Sequence, residues 1–249
     1  MRYNEYGNKN KEVIILLHGG GLSWWNYEDV ANILKNDYHI ILPILDGHAG
    51  NNHSFVSIEE NASKIIEFID QNYNGKVLLI GGLSLGGQIA LEILSQRGDI
   101  CQYAIIESAL VLPSKITHLL IKPTFGTCFG LIKYKWFSKL QFKSLKIKDS
   151  LFEQYYQDTC AISKENMIAF LEANTIYCLK DSIKECFAKV YICVGQKESY
   201  KMHQSAMLIH KALRNSQLEI IPSLYHGEFS INQSQAYANK LLSMIHNNE

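Results

Sequence analysis

Short, nearly continuous apolar runs alternate along this chain with longer stretches in which apolar residues recur every three or four positions. Such runs are typical of buried parallel strands, and the longer stretches are typical of helices packed on them. The runs predict strands at 13–17, 39–45, 76–81, 103–108, 190–194 and 218–222. Helices are predicted near 27–35, 58–73, 87–97, 203–214 and 234–246. This alternation predicts an α/β fold with a mostly parallel sheet.

The alternation stops in residues 111–189, where apolar residues keep helical spacing, as at 151–156. We therefore predict a core formed by residues 1–110 and 190–249, with a helical insert at 111–189 between two of its strands. The short segment before the first apolar run leaves little room for additional antiparallel strands.

The composition limits the class of protein. With 249 residues, 47% of them hydrophobic, the chain can bury one large core. Its formal net charge of zero gives no indication of nucleic-acid binding. The least polar long stretch, 116–132, is interrupted by His118, Lys122 and Pro123, so no membrane span is predicted. The N-terminus lacks an apolar signal region and the six cysteines lack metal or redox spacing, so we expect a cytoplasmic protein.

A G-x-S-x-G motif at 82–86 is the clearest indication of chemistry. It follows an apolar run that ends at Gly81 and precedes a helical pattern, so Ser84 is predicted at a sharp strand-to-helix turn. Gly82 and Gly86 are expected there because a Cβ at either position would clash. Such a turn presents the serine hydroxyl at the end of the sheet, which makes Ser84 a candidate nucleophile. The alternative is a flexible loop without chemistry.

Three glycines follow the first strong apolar run, in His18-Gly19-Gly20-Gly21. Glycines let backbone amides approach a ligand closely. The N–H groups of Gly20 and Leu85 would face the negative charge that develops on an attacked carbonyl. We therefore predict an oxyanion hole at Gly20 and Leu85, with a mobile glycine-rich loop as the alternative.

In these motifs the chain resembles the α/β-hydrolase superfamily over nearly its whole length. The resemblance includes the turn at 45–50, an acidic residue after a late strand, Glu198, and a late His-Gly at His226. It implies a sheet of about six or seven strands and a helical cap formed by the insert at 111–189. It also implies a catalytic triad in the order nucleophile, acid, histidine, matched here by Ser84, Glu198 and His226.

The acid of this triad has two candidates. Glu198 follows a predicted strand at the family's usual position, although the family more often has Asp there. Glu107 lies near the end of the predicted strand at 103–108, a position that some relatives use. Either carboxylate could orient His226 and stabilise its positive charge.

Neither a metal nor another cofactor is predicted. His48 and His53 lie near Asp46, but no third ligand at useful spacing supports a metal site. The resemblance assigns the region around Asp46 to a structural turn. His18 is interpreted as a structural hydrogen-bonding residue beside the glycine loop.

The insert is divided by charge. Its first part carries eight lysines before Asp149, and its second part is mainly acidic. A solvated surface of compensating charges is one interpretation. The other is that the lysines, interleaved with Trp136, Phe137 and Phe142, contact an anionic substrate or a lipid interface.

The predicted reaction is hydrolysis of a small or acyl-chain carboxylic ester or thioester through an acyl-enzyme on Ser84. Gly21, Trp24 and Trp25 are expected to line an apolar substrate pocket. Carbon–carbon bond hydrolysis and acyl transfer could use the same triad. A ligand-binding or signalling protein is the alternative from a different class. The expected partner is a small ester-like molecule, with no nucleic acid and no stable membrane span, and the sequence predicts no oligomeric state.

Overall fold

Seven strands form a single sheet in the computed structural model, which describes residues 1–246. Residues 247–249, the end of the predicted core segment 190–249, lie outside the described residues. The strands are β1 (Tyr3–Tyr6), β2 (Val13–Leu17), β3 (His39–Pro43), β4 (Val77–Leu83), β5 (Cys101–Glu107), β6 (Lys189–Gly195) and β7 (Ser216–Ile221). Their order is β1-β3-β2-β4-β5-β6-β7, and every neighbouring pair except β1 and β3 is parallel. The predicted mostly parallel sheet of six or seven strands is confirmed.

Helices connect the strands and cover both faces of the sheet. They are α1 (Glu28–Leu34), α2 (Ile58–Tyr73), α3 (Leu85–Gln96), α4 (Lys115–Cys128), α5 (Lys135–Leu145), α6 (Phe152–Ala161), α7 (Lys164–Ile176), α8 (Tyr200–Ala212), α9 (Glu228–Asn232) and α10 (Ser234–His246). A short 3₁₀ helix at Trp24–Tyr27 precedes α1. Within residues 1–246, no helix is long and apolar enough to cross a membrane.

The central strands are apolar on both faces because helices cover both. On β2, Ile14 and Leu16 belong to the hydrophobic cluster that includes α1 and α10, whereas Ile15 and Leu17 belong to the cluster that includes α2 and α3. Successive side chains of a strand point to opposite faces of its sheet. A strand buried in this way therefore has a continuous apolar sequence.

The edge strand β1 has a different character. Its sequence, Tyr-Asn-Glu-Tyr, is partly exposed and contains no apolar run. It pairs antiparallel with β3, with Tyr3 opposite Pro43. The N-terminal segment thus has room for one four-residue antiparallel strand, which the apolar pattern did not indicate.

Helices α4 to α7 lie in the chain between β5 and β6, within residues 111–189, the helical insert. Hydrogen bonds join the insert to the core. The Asn174 side-chain amide donates to Gln88 Oε1 at 2.9 Å, and the Gln88 amide donates back to the Asn174 carbonyl at 2.9 Å. The Phe55 N–H donates to Asn166 Oδ1 at 3.0 Å. These contacts hold α7 over the carboxyl ends of the central strands, where α/β sheets bind their ligands.

Candidate active site

Ser84 lies at the turn between β4 and α3 in a strained backbone conformation. Its φ is 53° and its ψ is −113°, which an L-residue adopts only when its surroundings impose it. A Cβ at position 82 would lie 2.2 Å from the Gly86 carbonyl oxygen, and a Cβ at position 86 would lie 2.1 Å from the Leu17 carbonyl oxygen. The Ser84 N–H donates to the Glu107 carbonyl at 2.9 Å. Both glycines of the motif are therefore sterically required for this turn.

His226 and Glu198 are brought together by the loops that follow β7 and β6. His226 Nδ1 donates to Glu198 Oε2 at 2.7 Å. The other carboxylate oxygen, Oε1, accepts hydrogen bonds from Ser108 Oγ at 2.6 Å and from the Gly195 N–H at 2.8 Å. The Glu198 side chain is only 3% exposed, so its orientation is fixed by these three donors.

Glu198 and His226 each stabilise the charged form of the other. Burial would raise the pKa of Glu198, but the hydrogen bond and charge of His226, helped by Ser108 and Gly195, outweigh it and lower that pKa. Desolvation would lower the pKa of His226, but the hydrogen bond and charge of Glu198 outweigh it and raise that pKa above the usual value. The arrangement therefore favours a carboxylate beside an imidazole that accepts a proton readily.

Ser84 and His226 line the same small cleft. Gly20 forms part of its wall, and its volume is about 60 Å³. The remaining lining is mostly apolar, with Leu22, Leu83, Leu145, Ile147 and Ile231 among its members. A proton acceptor, a strained serine and a glycine thus line one cleft with mostly apolar walls.

The three glycine amides differ in their partners. The Gly19 N–H donates to Asn26 Oδ1 at 3.2 Å, and the Gly21 N–H donates to His48 Nε2 at 3.0 Å. The Gly20 N–H donates to no acceptor within residues 1–246. Of the three, the Gly20 amide is therefore the one left to bind a ligand oxygen.

Two buried histidines support this loop. His18 Nδ1 donates to the Gly19 carbonyl at 2.9 Å, and its Nε2 accepts from the Leu45 N–H at 3.1 Å. His48 Nδ1 donates to the Asp46 carbonyl at 3.0 Å, which leaves Nε2 as the acceptor for Gly21. Burial lowers the pKa of His48 to about 4 and that of His18 well below its usual value. Both rings are neutral structural supports, and no ring nitrogen of His48 is left for a metal ion.

A second cavity, of about 270 Å³, lies under the helical insert. It shares Gly20, Leu22 and Leu145 with the first cleft, so the two spaces adjoin. Gly21 lines it from the loop side. The insert contributes the other walls, mainly Phe125, Ile132, Tyr155, Met167, Phe170 and Leu171.

The two tryptophans expected beside this cavity line neither space. Trp25 is buried in the core, and its indole N–H donates to Asp158 Oδ2 at 2.7 Å. Trp24 is partly buried against the same cluster. The 3₁₀ helix at Trp24–Tyr27 directs these side chains into the packing below the insert. Of the three residues expected to line a pocket, Gly21 lines the cavity under the insert and the two tryptophans line neither space.

Glu107, the second candidate for the acid, forms no hydrogen bond with His226 within residues 1–246. Its Oε1 accepts a long hydrogen bond, 3.4 Å, from the Ser230 N–H, and its Oε2 has no partner within residues 1–246. Burial raises the pKa of Glu107 to about 7. The structure therefore brings Glu198, and not Glu107, to the imidazole.

A family model described as Hydrolase_4, serine aminopeptidase S33, matches residues 8–230. The chain belongs to this family. The α/β-hydrolase fold implied by its motifs is confirmed.

The names of proteins similar to this chain are consistent with this family. The chain is 24% identical to the uncharacterized hydrolase YugF of Bacillus subtilis over 139 residues, which is 55% of this chain and 51% of YugF. The chain spans about half the length of the curated relatives it matches. An enol-lactonase from Burkholderia xenovorans has a similar structure, with a TM-score of 0.82, 11% identity and coverage of 98% of this chain and 95% of that one. A thermophilic esterase from Thermogutta terrifontis has a TM-score of 0.78, with 15% identity and coverage of 98% and 93%. At these identities the structures are evidence for the fold alone.

Sequence reasoning missed two contacts of this hydrolase. Ser108, which has a φ of 53°, donates to Glu198 across 90 positions of sequence. The sequence contained an indication of this contact, because Ser108 follows β5 and Glu198 follows β6, and these two strands are neighbours in the sheet. His48, for which the sequence predicted neither a metal site nor another role, accepts from the Gly21 N–H and so supports the glycine loop.

Proposed function

We propose that this hydrolase cleaves a small or acyl-chain carboxylic ester, or a thioester, through an acyl-enzyme on Ser84. The observation that carries the proposal is the 2.7 Å hydrogen bond from His226 Nδ1 to Glu198 beside a cleft lined by Ser84 and Gly20. This bond leaves His226 Nε2 as the acceptor for the serine proton. The names of two similar structures, an esterase and an enol-lactonase, agree with an ester substrate.

In the first half of the reaction, Ser84 Oγ attacks the substrate carbonyl carbon while its proton passes to His226 Nε2. The carbonyl oxygen becomes an oxyanion that accepts from the N–H groups of Gly20 and Leu85. Leu85 is the first residue of α3, where backbone amides lack helical partners and the helix dipole favours negative charge. Glu198 stabilises the imidazolium that forms.

The tetrahedral intermediate then collapses and the bond to the leaving alcohol or thiol breaks. The leaving group takes the proton from His226, so the imidazole is neutral again. Water next gives a proton to His226 and attacks the acyl-enzyme, and the second collapse returns this proton to Ser84. The products are a carboxylic acid and an alcohol or thiol, without any cofactor.

The cavity under the insert is suited to the apolar part of such a substrate. It adjoins the cleft of Ser84 through Gly20 and Leu145, and most of its walls are aromatic or aliphatic. Binding pockets for small molecules are commonly apolar with a few polar groups that fix orientation. We infer that the acyl or alcohol chain lies there, with the reacting carbonyl at Gly20.

The test combines a fluorophosphonate probe with p-nitrophenyl esters from acetate to decanoate. Wild type is expected to be labelled and to turn over continuously, whereas Ser84→Ala should lose labelling and about 10⁴-fold or more in kcat. Ser63→Ala, which changes an exposed helical serine, is the matched control and should behave as wild type. Turnover that persists in Ser84→Ala would exclude the acyl-enzyme. Folded wild type that binds esters without labelling or turnover would instead support a ligand-binding protein.

A further inference from the structure

Helix α4 carries apolar residues on the side that faces away from the protein. Ile116, Leu119 and Leu120 are 75%, 72% and 57% exposed. Their spacing of three and four residues places them on one face of the helix. The residues that point inward, Ile121 and Phe125, lie on the opposite face. This outward face is therefore a continuous apolar stripe without a partner in residues 1–246.

Helix α5 repeats the pattern. Trp136 and Leu140 are 66% and 63% exposed, and they are four residues apart, so they share one face. Ser138 and Phe142 point inward and are fully buried. We call these five exposed residues the outer face of the insert: Ile116, Leu119, Leu120, Trp136 and Leu140. Each of the two helices thus presents large exposed apolar side chains on one face, and such side chains indicate an interaction site.

The segment that carries the outer face has lysines but no acidic residues. Residues 111–148 contain no Asp or Glu, although the chain as a whole has a formal net charge of zero. Three of the eight lysines in this range form ion pairs with other segments: Lys122 with Glu172, Lys135 with Glu153, and Lys148 with Asp29. The other five have no carboxylate partner within residues 1–246: Lys115, Lys133, Lys139, Lys143 and Lys146.

An apolar face on a segment whose lysines mostly lack a carboxylate partner is complementary to an anionic lipid surface. Lipid phosphates attract the lysines, and the boundary between head groups and acyl chains accepts exposed aliphatic side chains. Tryptophan is favoured at that boundary, where Trp136 would lie. We propose that the outer face of the insert docks this hydrolase peripherally on anionic phospholipid bilayers. This proposal goes beyond the proposed reaction, which can take place in solution.

The same helices connect this face with the candidate site. Phe125 of α4 and Leu145 of α5 line the cavities beside Ser84, while the outer face lies on other sides of both helices. Docking would therefore bring the walls of the substrate cavity close to the lipid. A substrate dissolved in the bilayer would have a short path to Ser84.

The experiment is co-sedimentation with vesicles of phosphatidylcholine alone or with about 30% phosphatidylglycerol. Wild type should bind the anionic vesicles at least about tenfold better than the neutral ones, and about 0.5 M salt should weaken this binding strongly. The double variant Trp136→Ser/Leu140→Ser and the triple variant Lys133→Gln/Lys139→Gln/Lys143→Gln should each reduce the bound fraction about fivefold or more. These side chains are exposed, so circular dichroism should show unchanged folding.

The matched control is Phe187→Ser, because Phe187 is 74% exposed but lies just before β6, at the amino ends of the strands, whereas α7 of the insert lies over their carboxyl ends. It should bind vesicles as wild type does. A blue shift of tryptophan fluorescence on binding, lost in Trp136→Phe, would place this residue at the lipid. Equal binding of wild type and both multiple variants would overturn the proposal. So would a dimer in light scattering that Trp136→Ser/Leu140→Ser dissociates, because a second copy would then cover the face.

Discussion

The loops at the carboxyl ends of the strands and the helical insert above them present different kinds of side chain to the candidate site. In the loops, polar groups are paired with buried or backbone partners, as in Ser108 with Glu198 and Gly21 with His48. The insert faces the same site mainly with apolar side chains such as Met167 and Phe170. Hydrogen bonds fix the positions of the bonded atoms to within a few tenths of an ångström, whereas apolar contacts mainly fix the volume that side chains fill.

This difference predicts that the loops and the insert have separate roles in the proposed reaction. A change in the loops should alter kcat for every substrate, because the reacting atoms are the same in all of them. A change in the inner wall of the insert should alter discrimination between substrates, because only the size of the bound chain is affected. Three variants test this division, in order of decreasing effect.

The largest effect is expected from Glu198→Gln. Loss of the carboxylate removes the charge that stabilises the imidazolium and the acceptor that fixes its tautomer, so kcat should fall about 10³–10⁴-fold for all esters. Because Glu198 raises the pKa of His226, the acid limb of the kcat/KM profile should also move to lower pH in the variant. Stopped assays with p-nitrophenyl acetate and decanoate between pH 5 and pH 9 measure both effects.

Glu107→Gln is the matched control for this variant. Its carboxyl group has a pKa raised to about 7 by burial and forms no hydrogen bond with His226 within residues 1–246, so the neutral amide should cost less than about threefold in kcat near neutral pH. The opposite ranking of the two variants would move the catalytic acid to Glu107. An unchanged acid limb in Glu198→Gln would show that His226 titrates independently of Glu198.

An intermediate effect is expected from His48→Leu. The Gly21 N–H would lose its acceptor, so the glycine loop would shift. The neighbouring Gly20 N–H would then no longer be oriented toward the oxyanion. We expect a fall of about 10- to 100-fold in kcat with a small change in KM, measured for both short and long esters. His48→Gln, which keeps an acceptor oxygen, should recover part of the loss. If KM rises while kcat is kept, His48 shapes the pocket and not the oxyanion hole.

Much of the fold could be predicted because buried parallel strands must be apolar on both faces. β2, β4 and β5 therefore stand out as apolar runs, with ends within two residues of the predicted ones. β1 could not be found in this way. It is a partly exposed edge strand whose pairing with β3 depends on a tertiary contact and not on local pattern.

The candidate site was partly predictable for a related reason. Ser84 and His226 lie in short motifs at strand ends, and a motif is local. The direction of a side chain in an irregular segment is not local. Trp25 is next to the glycine loop in sequence, yet its indole N–H donates to Asp158, 133 positions away. Such contacts depend on how the insert folds over the core, which hydrophobic periodicity does not specify.

We expect the smallest effect from Met167→Trp. This variant most directly tests whether the loops and the insert have separate roles. Met167 is buried and lines the cavity under the insert, so a larger ring should shorten the space for the substrate chain. We expect kcat/KM for the decanoate ester to fall about tenfold, with less than about a twofold change for acetate. Leu140→Trp, on the exposed side of α5, should change neither value. An equal loss of kcat/KM for both esters would mean that Met167 holds the loop at Gly20 in place. The insert would then affect the catalytic step as well as substrate selection, and the two roles could not be assigned to separate regions.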